Sequence, residues 1–423
     1  MSLRPVVAAS VVALVAVACA TQEDAAESDG TWVGTITTEG NVTTVVNESG
    51  SVWGGPATLV EEASIGVETG ADEYMFGAIQ SIHADAERIY IIDAQVPAVR
   101  MYDHDGNFVG NLGGSGQGPG EYRAPGLVTS DGAGTAFVLA ARRDRIIVYD
   151  TATGEVIEEW EFDDERCCAW PMSAVSSDTV WAPVQRWVPG DVRERVFGVQ
   201  AVGPSGRFGD AIWVPDIEHD AATYTLSDSD YPLQARFSPA VVWNPTLAGG
   251  LVAGATDAYR FEVHRPDGSM LVVERFWEPI PVSPEQREYE RRYTIAFQRR
   301  GNDPEFVWDG AEIPHQKPAY SWLKPAVSGE IWVSRYGASE RTADCAEDPV
   351  EAGWDAVSGR RCWSDLSHTD VFGADGRYLG EVLLPKDAYM PAVIDGRLVV
   401  AQTHDETGTY RVKRYRLVLP GER

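Results

Sequence analysis

Three cations, Arg123, Arg236 and Lys317, and three aromatics, Trp170, Tyr320 and Tyr389, carry the binding chemistry in this sequence. Planar guanidinium groups pair with carboxylates or phosphates, and flat rings suit sugar faces or apolar ligand parts. The chain has 64 Asp and Glu against 35 Lys and Arg, a formal net charge of −29, so grouped cations form a positive focus inside a negative field. That field repels nucleic-acid backbones, so DNA and RNA are not expected partners. A small anionic or sugar-like ligand, or a protein of the cell envelope, is the expected partner, and a monomer the expected state. No cofactor is identifiable.

Other reactive side chains give weaker signals. The seven histidines (His83, His104, His219, His264, His315, His368 and His404) follow no shared spacing. The run Gly113 to Gly120 lacks the Lys-Ser/Thr and the helix of a phosphate-binding loop. The acidic runs Asp103 to Asn107 and Asp228 to Asp230 read as turns rather than calcium loops. Cys345 and Cys362 bracket a loop with little to bury and are expected to form a disulfide. For the adjacent Cys167 and Cys168, a vicinal bridge, a free dithiol and a soft-metal site all stay open.

The elements that must position these residues follow from a repeat. A β-rich run ending in a Gly turn recurs six times, at Gly106, Gly154, Gly206, Gly268, Gly376 and Gly421. The spacing is near fifty residues apart from one long interval, which suits four-stranded propeller blades. In the first blade, Gly77 to His83, Arg88 to Asp93, Ala98 to Tyr102 and Phe108 to Leu112 are the expected strands. In the fourth they are Arg236 to Val242, Gly250 to Thr256, Tyr259 to His264 and Met270 to Phe276. The six candidate ligand-binding residues stand at or just before inner-strand starts, so they are expected to ring one mouth of the channel. The sixth turn falls at the chain's end, so Thr58 to Gly66 must supply the last blade's outer strand.

The stretch from Ile89-Tyr90-Ile91-Ile92-Asp93 to Gly113-Gly114-Ser115-Gly116-Gln117-Gly118-Pro119-Gly120-Glu121 resembles the six-bladed β-propeller lipoproteins of bacteria, related to NHL-repeat proteins. The resemblance implies an all-β fold, closed by an N-terminal strand. It says little of function, since this scaffold hosts binding proteins, lyases, lactonases and oxidoreductases. A binding or scaffolding module is the first reading. The alternative is a lactonase- or lyase-type enzyme using a divalent metal in the channel.

At the N-terminus, Arg4 precedes the apolar run Val6 to Ala20, which is the length of an export signal and short of a membrane span. Ala16-Val17-Ala18-Cys19 resembles the lipobox of bacterial lipoproteins, which implies lipidation of Cys19; a plain secretory signal is the alternative. Ala20 after the Cys, in place of Asp, favours the outer membrane in diderm bacteria. The expected organisation is a signal over 1–18, a flexible tether over 19–50 and the propeller over 51–423, with insertions at about 279–320 and 337–368. In the first insertion, Ser283-Pro284-Glu285-Gln286 reads as a helix start, with Tyr289, Tyr293, Ala296 and Phe297 as its apolar stripe up to Arg300.

Overall fold

Short β-branched and aromatic runs, separated by Gly turns, fold into six four-stranded antiparallel blades in a computed structural model. It describes residues 32–140, 145–161, 172–188, 194–343, 345–352, 361–385, 391–405 and 407–422. The innermost strands are Ile79–Ala84, Pro125–Ser130, Ser173–Ser176, Val241–Pro245, Trp322–Pro325 and Pro391–Asp395. Antiparallel alternation within each blade returns its outer strand to the end from which the inner strand set out. Every blade-to-blade connection therefore lies at that end, called here the entry end.

Blade one continues as Ile89–Asp93, Val99–Tyr102 and Phe108–Leu112, in agreement with the strands read from sequence. All five residues of Ile89–Asp93 are buried, because blades pack on both faces and no side is left for water. Tyr90 and Ile92 pack with Val138 and Tyr149 of blade two, whereas Ile89 and Ile91 pack with Val400 and Val412 of blade six. All six repeat glycines have φ between +65° and +87°, the left-handed turn geometry that gives a Cβ steric strain.

The ring closes as the sequence required. Ala57–Ile65 pairs antiparallel with Tyr410–Val418 as the outer strand of blade six. The preceding segment differs from the expected tether. Val33–Glu39 and Val42–Ser49 form a hairpin that extends blade four, with Val42 to Asn47 parallel to Met270 to Arg275. Thr, Val and Ile supply the β-forming pattern, and Gly40 takes the turn at φ 61°. Val52 and Trp53 then hydrogen-bond to Tyr378 and Leu379 of blade five. Residues 32–65 thus strap blades four, five and six together from outside. Buried Asn47 anchors the strap: its side chain accepts from Trp32 Nε1 (2.8 Å) and Tyr378 N (2.7 Å) and donates to the carbonyls of Glu274 and Gly376.

Insertions decorate the entry end of blades three to five. Between blades three and four lies a hairpin, Thr223–Leu226 with Ser229–Gln234, that the repeat reading did not separate from its surroundings. It displaces the expected inner strand of blade four, which begins at Val241 rather than Arg236. Between blades four and five stands helix α1, Pro284–Gly301, whose Ser283 cap accepts from Gln286 N at 3.1 Å. Its stripe is only half as expected. Tyr289 and Ala296 are buried but Phe297 is 48% exposed, and Gln286, Glu290 and Gln298 face inward instead. In the second insertion, Ile331–Arg341 and Trp363–Phe372 run on as long paired strands, and the Cys345–Cys362 disulfide closes the loop beyond them.

Candidate functional site

The inward polar face of α1 covers a cleft of about 410 Å³ between blades four and five at the entry end. Arg236, Tyr320, Ser321, Tyr336, Glu290 and Arg361 are among its lining residues. Each wall comes from an insertion or from a strand beside one. Arg236 ends the displaced segment before blade four, Glu290 projects from α1, and Arg361 follows the disulfide loop. Phe237, next to Arg236, is held at φ 62°, a conformation rare for a bulky residue and one that stores strain at the cleft wall.

Charge in this cleft is organised around Asp365. Lys317 Nζ lies 2.7 Å from Asp365 Oδ1 and donates to Gly337 O at 2.6 Å, while Arg236 pairs with Asp365 Oδ2. Ser339 Oγ donates to the same carboxylate at 2.8 Å. Burial pushes the Asp365 carboxyl up, but the bonds from Lys317 and Ser339 and the charge of Arg236 outweigh it and hold it below its usual range. Glu290 goes the other way. Burial raises its pKa, against the opposing charges of Arg361, 3.0 Å away, and Arg236. Arg361 also lies 3.8 Å from the Tyr293 ring centre, and Arg236 4.8 Å from that of Phe237. Three cations against two carboxylates leave an excess of one positive charge, with Arg236 and Arg361 partly exposed to a ligand.

The structure thus gathers three of the six residues singled out by sequence and changes their roles. Arg236 lines the cleft. Lys317 has no exposed side-chain surface and is a strut under Asp365, not a ligand contact. Tyr320 forms part of the floor, its ring in the core and its hydroxyl donating to Arg260 O at 2.8 Å. Arg123 is exposed at the start of blade two and does not line this cleft. Trp170, Tyr389, Cys167, Cys168 and Cys19 lie outside the described residues. Asp365, Glu290 and Arg361 escaped the repeat reading because they sit in insertions, which have no counterpart in other blades.

The histidines are dispersed and mostly occupied. His83 Nε2 accepts from Ser130 N at 3.0 Å, and Ser130 Oγ donates to Asp85 at 2.6 Å. Burial lowers the His83 pKa to about 4; the Asp85 charge opposes this and Lys324 reinforces it. His264 pairs with Glu262 and His368 with Glu381. Among the described residues, Cys345, Glu347 and Cys362 are the sole group of three close potential metal donors, and the two thiols are consumed by the disulfide.

Residues 57–179 match a protein family described as a 6-bladed beta-propeller. The fold is similar to that of a DUF4221-family member from Bacteroides vulgatus, with a TM-score of 0.50 and 10% identity, over 86% of this chain and 99% of that one. A putative exported protein from Bacteroides fragilis aligns at TM-score 0.45 and 8% identity, over 85% of this chain and 95% of that one. The calcium-binding protein regucalcin from Agrobacterium tumefaciens gives 0.36 and 11%, over 87% and 98%. No curated protein matches the sequence. The family match and the blade count agree: the chain is a six-bladed β-propeller.

Proposed function

We propose that this six-bladed propeller is an exported, lipid-anchored binding module that takes a small anionic or sugar-like ligand at its entry end. One observation carries the reading: insertions from separate blades all emerge at that end and set Arg236 and Arg361 around one cleft. Insertions on a regular ring concentrate where recognition is built, because the scaffold tolerates change there. Arg361 supplies a planar fork for a carboxylate, and Tyr336, Thr294 and Ser321 supply a ring and hydroxyls. Export is supported by the apolar segment Val6 to Ala20 and by the disulfide, which persists in oxidising compartments. Among the described residues no helix is long and apolar enough to cross a membrane, and Cys19 supplies the attachment point.

Two experiments test the two halves of this proposal. Palmitate labelling in a bacterial host should be lost in Cys19→Ser; equal labelling of the variant overturns the anchor. Glucuronate, which combines a carboxylate with a sugar ring, should raise the unfolding temperature of the wild type by mass action and fail to raise that of Arg236→Ala. Equal stabilisation of both proteins removes the cleft from the account.

A further inference from the structure

A second cavity, of about 690 Å³, opens between the inner strands of blades five, six and one, away from the cleft under α1. Its walls are mostly apolar, with Ile79, Ile82 and Trp322 prominent, and Gln80, Gln402 and His404 add polar atoms. Lys324 reaches into it from Trp322–Pro325, the inner strand of blade five. Its amine lies 5.4 Å from the centre of the Trp322 ring, and among the described residues no carboxylate pairs with it. The other two described lysines, Lys317 and Lys413, are each salt-bridged, to Asp365 and Glu61. An ammonium beside a ring face in this cavity, with no carboxylate paired to it among the described residues, is short of a counter-charge.

We propose that this cavity is a binding site for a small aryl carboxylate, its carboxylate on Lys324 and its ring against Trp322 and the apolar wall. The apolar lining favours an aromatic body over a sugar acid, whose hydroxyls would lose water without enough partners. The site is independent of the cleft under α1 and shares no lining residue with it. Burial alone lowers the Lys324 pKa to about 8, the signature of a cation whose charge is not yet compensated. A bound carboxylate supplies that compensation and draws the proton on. The titratable groups nearby are His83 and Asp85 on blade one and His404 on blade six. His83, at about 4, is neutral across the range where Lys324 titrates.

Benzoate is the probe, with glucuronate as the sugar-acid arm and benzyl alcohol as the uncharged one. Calorimetry at pH 8 in buffers of different ionisation enthalpy should show benzoate binding with uptake of roughly 0.5 proton, since a group at its pKa is half deprotonated. Affinity should fall as pH rises above 8, and in Arg236→Ala, whose cleft no longer takes glucuronate, both glucuronate and benzyl alcohol should bind at least tenfold more weakly than benzoate. Lys324→Met should abolish benzoate binding while leaving glucuronate stabilisation through the cleft intact. In the wild-type protein, benzoate should shield Lys324 from an amine-acylating reagent, read by mass spectrometry, while Lys413 stays as reactive as before. Absence of benzoate binding, binding retained in Lys324→Met, or binding without proton uptake each overturns the proposal. Arg236→Ala should leave benzoate binding unchanged, so failure of the cleft and failure of the channel site are read separately.

Discussion

Blade one and the pair of blades four and five are built on the same strand plan but stabilise buried charge differently. In blade one, Asp93 is buried, accepts from the backbone N–H groups of Gly77, Ala78 and Gln95, and has Arg100 of the same blade 3.9 Å away, all within its own repeat. In blade five, the fully buried Asp370 is reached from two blades: Tyr259 OH at 2.6 Å and Arg275 at 2.6 Å from blade four, Arg335 at 2.7 Å and Tyr378 OH at 3.1 Å from its own. The strands of blade one are joined by short turns, whereas blades four and five carry α1, the disulfide loop and the strap. The Asp93 contacts stay within one blade and shape its repeat. The Asp370 contacts instead tie blade four to blade five, the two blades that flank α1.

If that contrast holds, breaking the inter-blade network has the largest effect. Asp370→Ala strands Arg275 and Arg335 beside a buried void, and urea unfolding should show a loss of about 3 to 5 kcal/mol. An unchanged midpoint would remove the network from the stability account. Reduction of Cys345–Cys362, or Cys345→Ser, comes next. Closing a loop of about 15 residues is worth about 3 kcal/mol by the chain-entropy argument, so the thermal midpoint should drop on reductant in wild type and not in the variant. Asn47→Ala leaves Trp32 Nε1 and Tyr378 N without their acceptor and should cost about 1 to 3 kcal/mol. Hydrogen exchange in that variant should rise in Val33–Glu39 and Val42–Ser49 and stay constant in blade one.

The smallest effects come from pH and have opposite signs within the one cleft. Asp365 has a lowered folded pKa, so its stabilisation is present above its ordinary pKa and is lost as pH falls through the folded value. Glu290 has a raised folded pKa, so the folded state binds its proton more tightly, and stability falls as pH rises from its ordinary value through the folded one. Asp365→Asn should therefore flatten the acid limb of the stability curve, and Glu290→Gln should steepen it, both read by chemical denaturation between pH 3 and 7. Identical limbs in the two variants and wild type would uncouple these carboxyls from folding.

What the sequence revealed follows the same division. Blade one was legible to within two residues because its runs are bounded by turns with Gly or Asp at fixed phase, and ring closure followed from counting turns. The strap was hidden by its composition: Thr-rich, short and next to an acidic segment, it reads as a linker until Asn47 and Trp32 find blades four and five. The cleft was half visible. Arg236 and Lys317 each stand five residues before an inner strand, but their roles depend on Asp365, a residue 129 positions from Arg236 that no period predicts. Lys324 carried no sequence signal beyond its rarity, being one of four lysines.

Hydrogen exchange with and without glucuronate tests most directly the claim that the decorated end is the recognition surface. Ligand-dependent protection is expected in residues 234–240, in Pro284–Gly301 and near Arg361, with none in the short turns of blade one. Protection confined to those short turns, or to the end opposite the insertions, would contradict recognition at the decorated end.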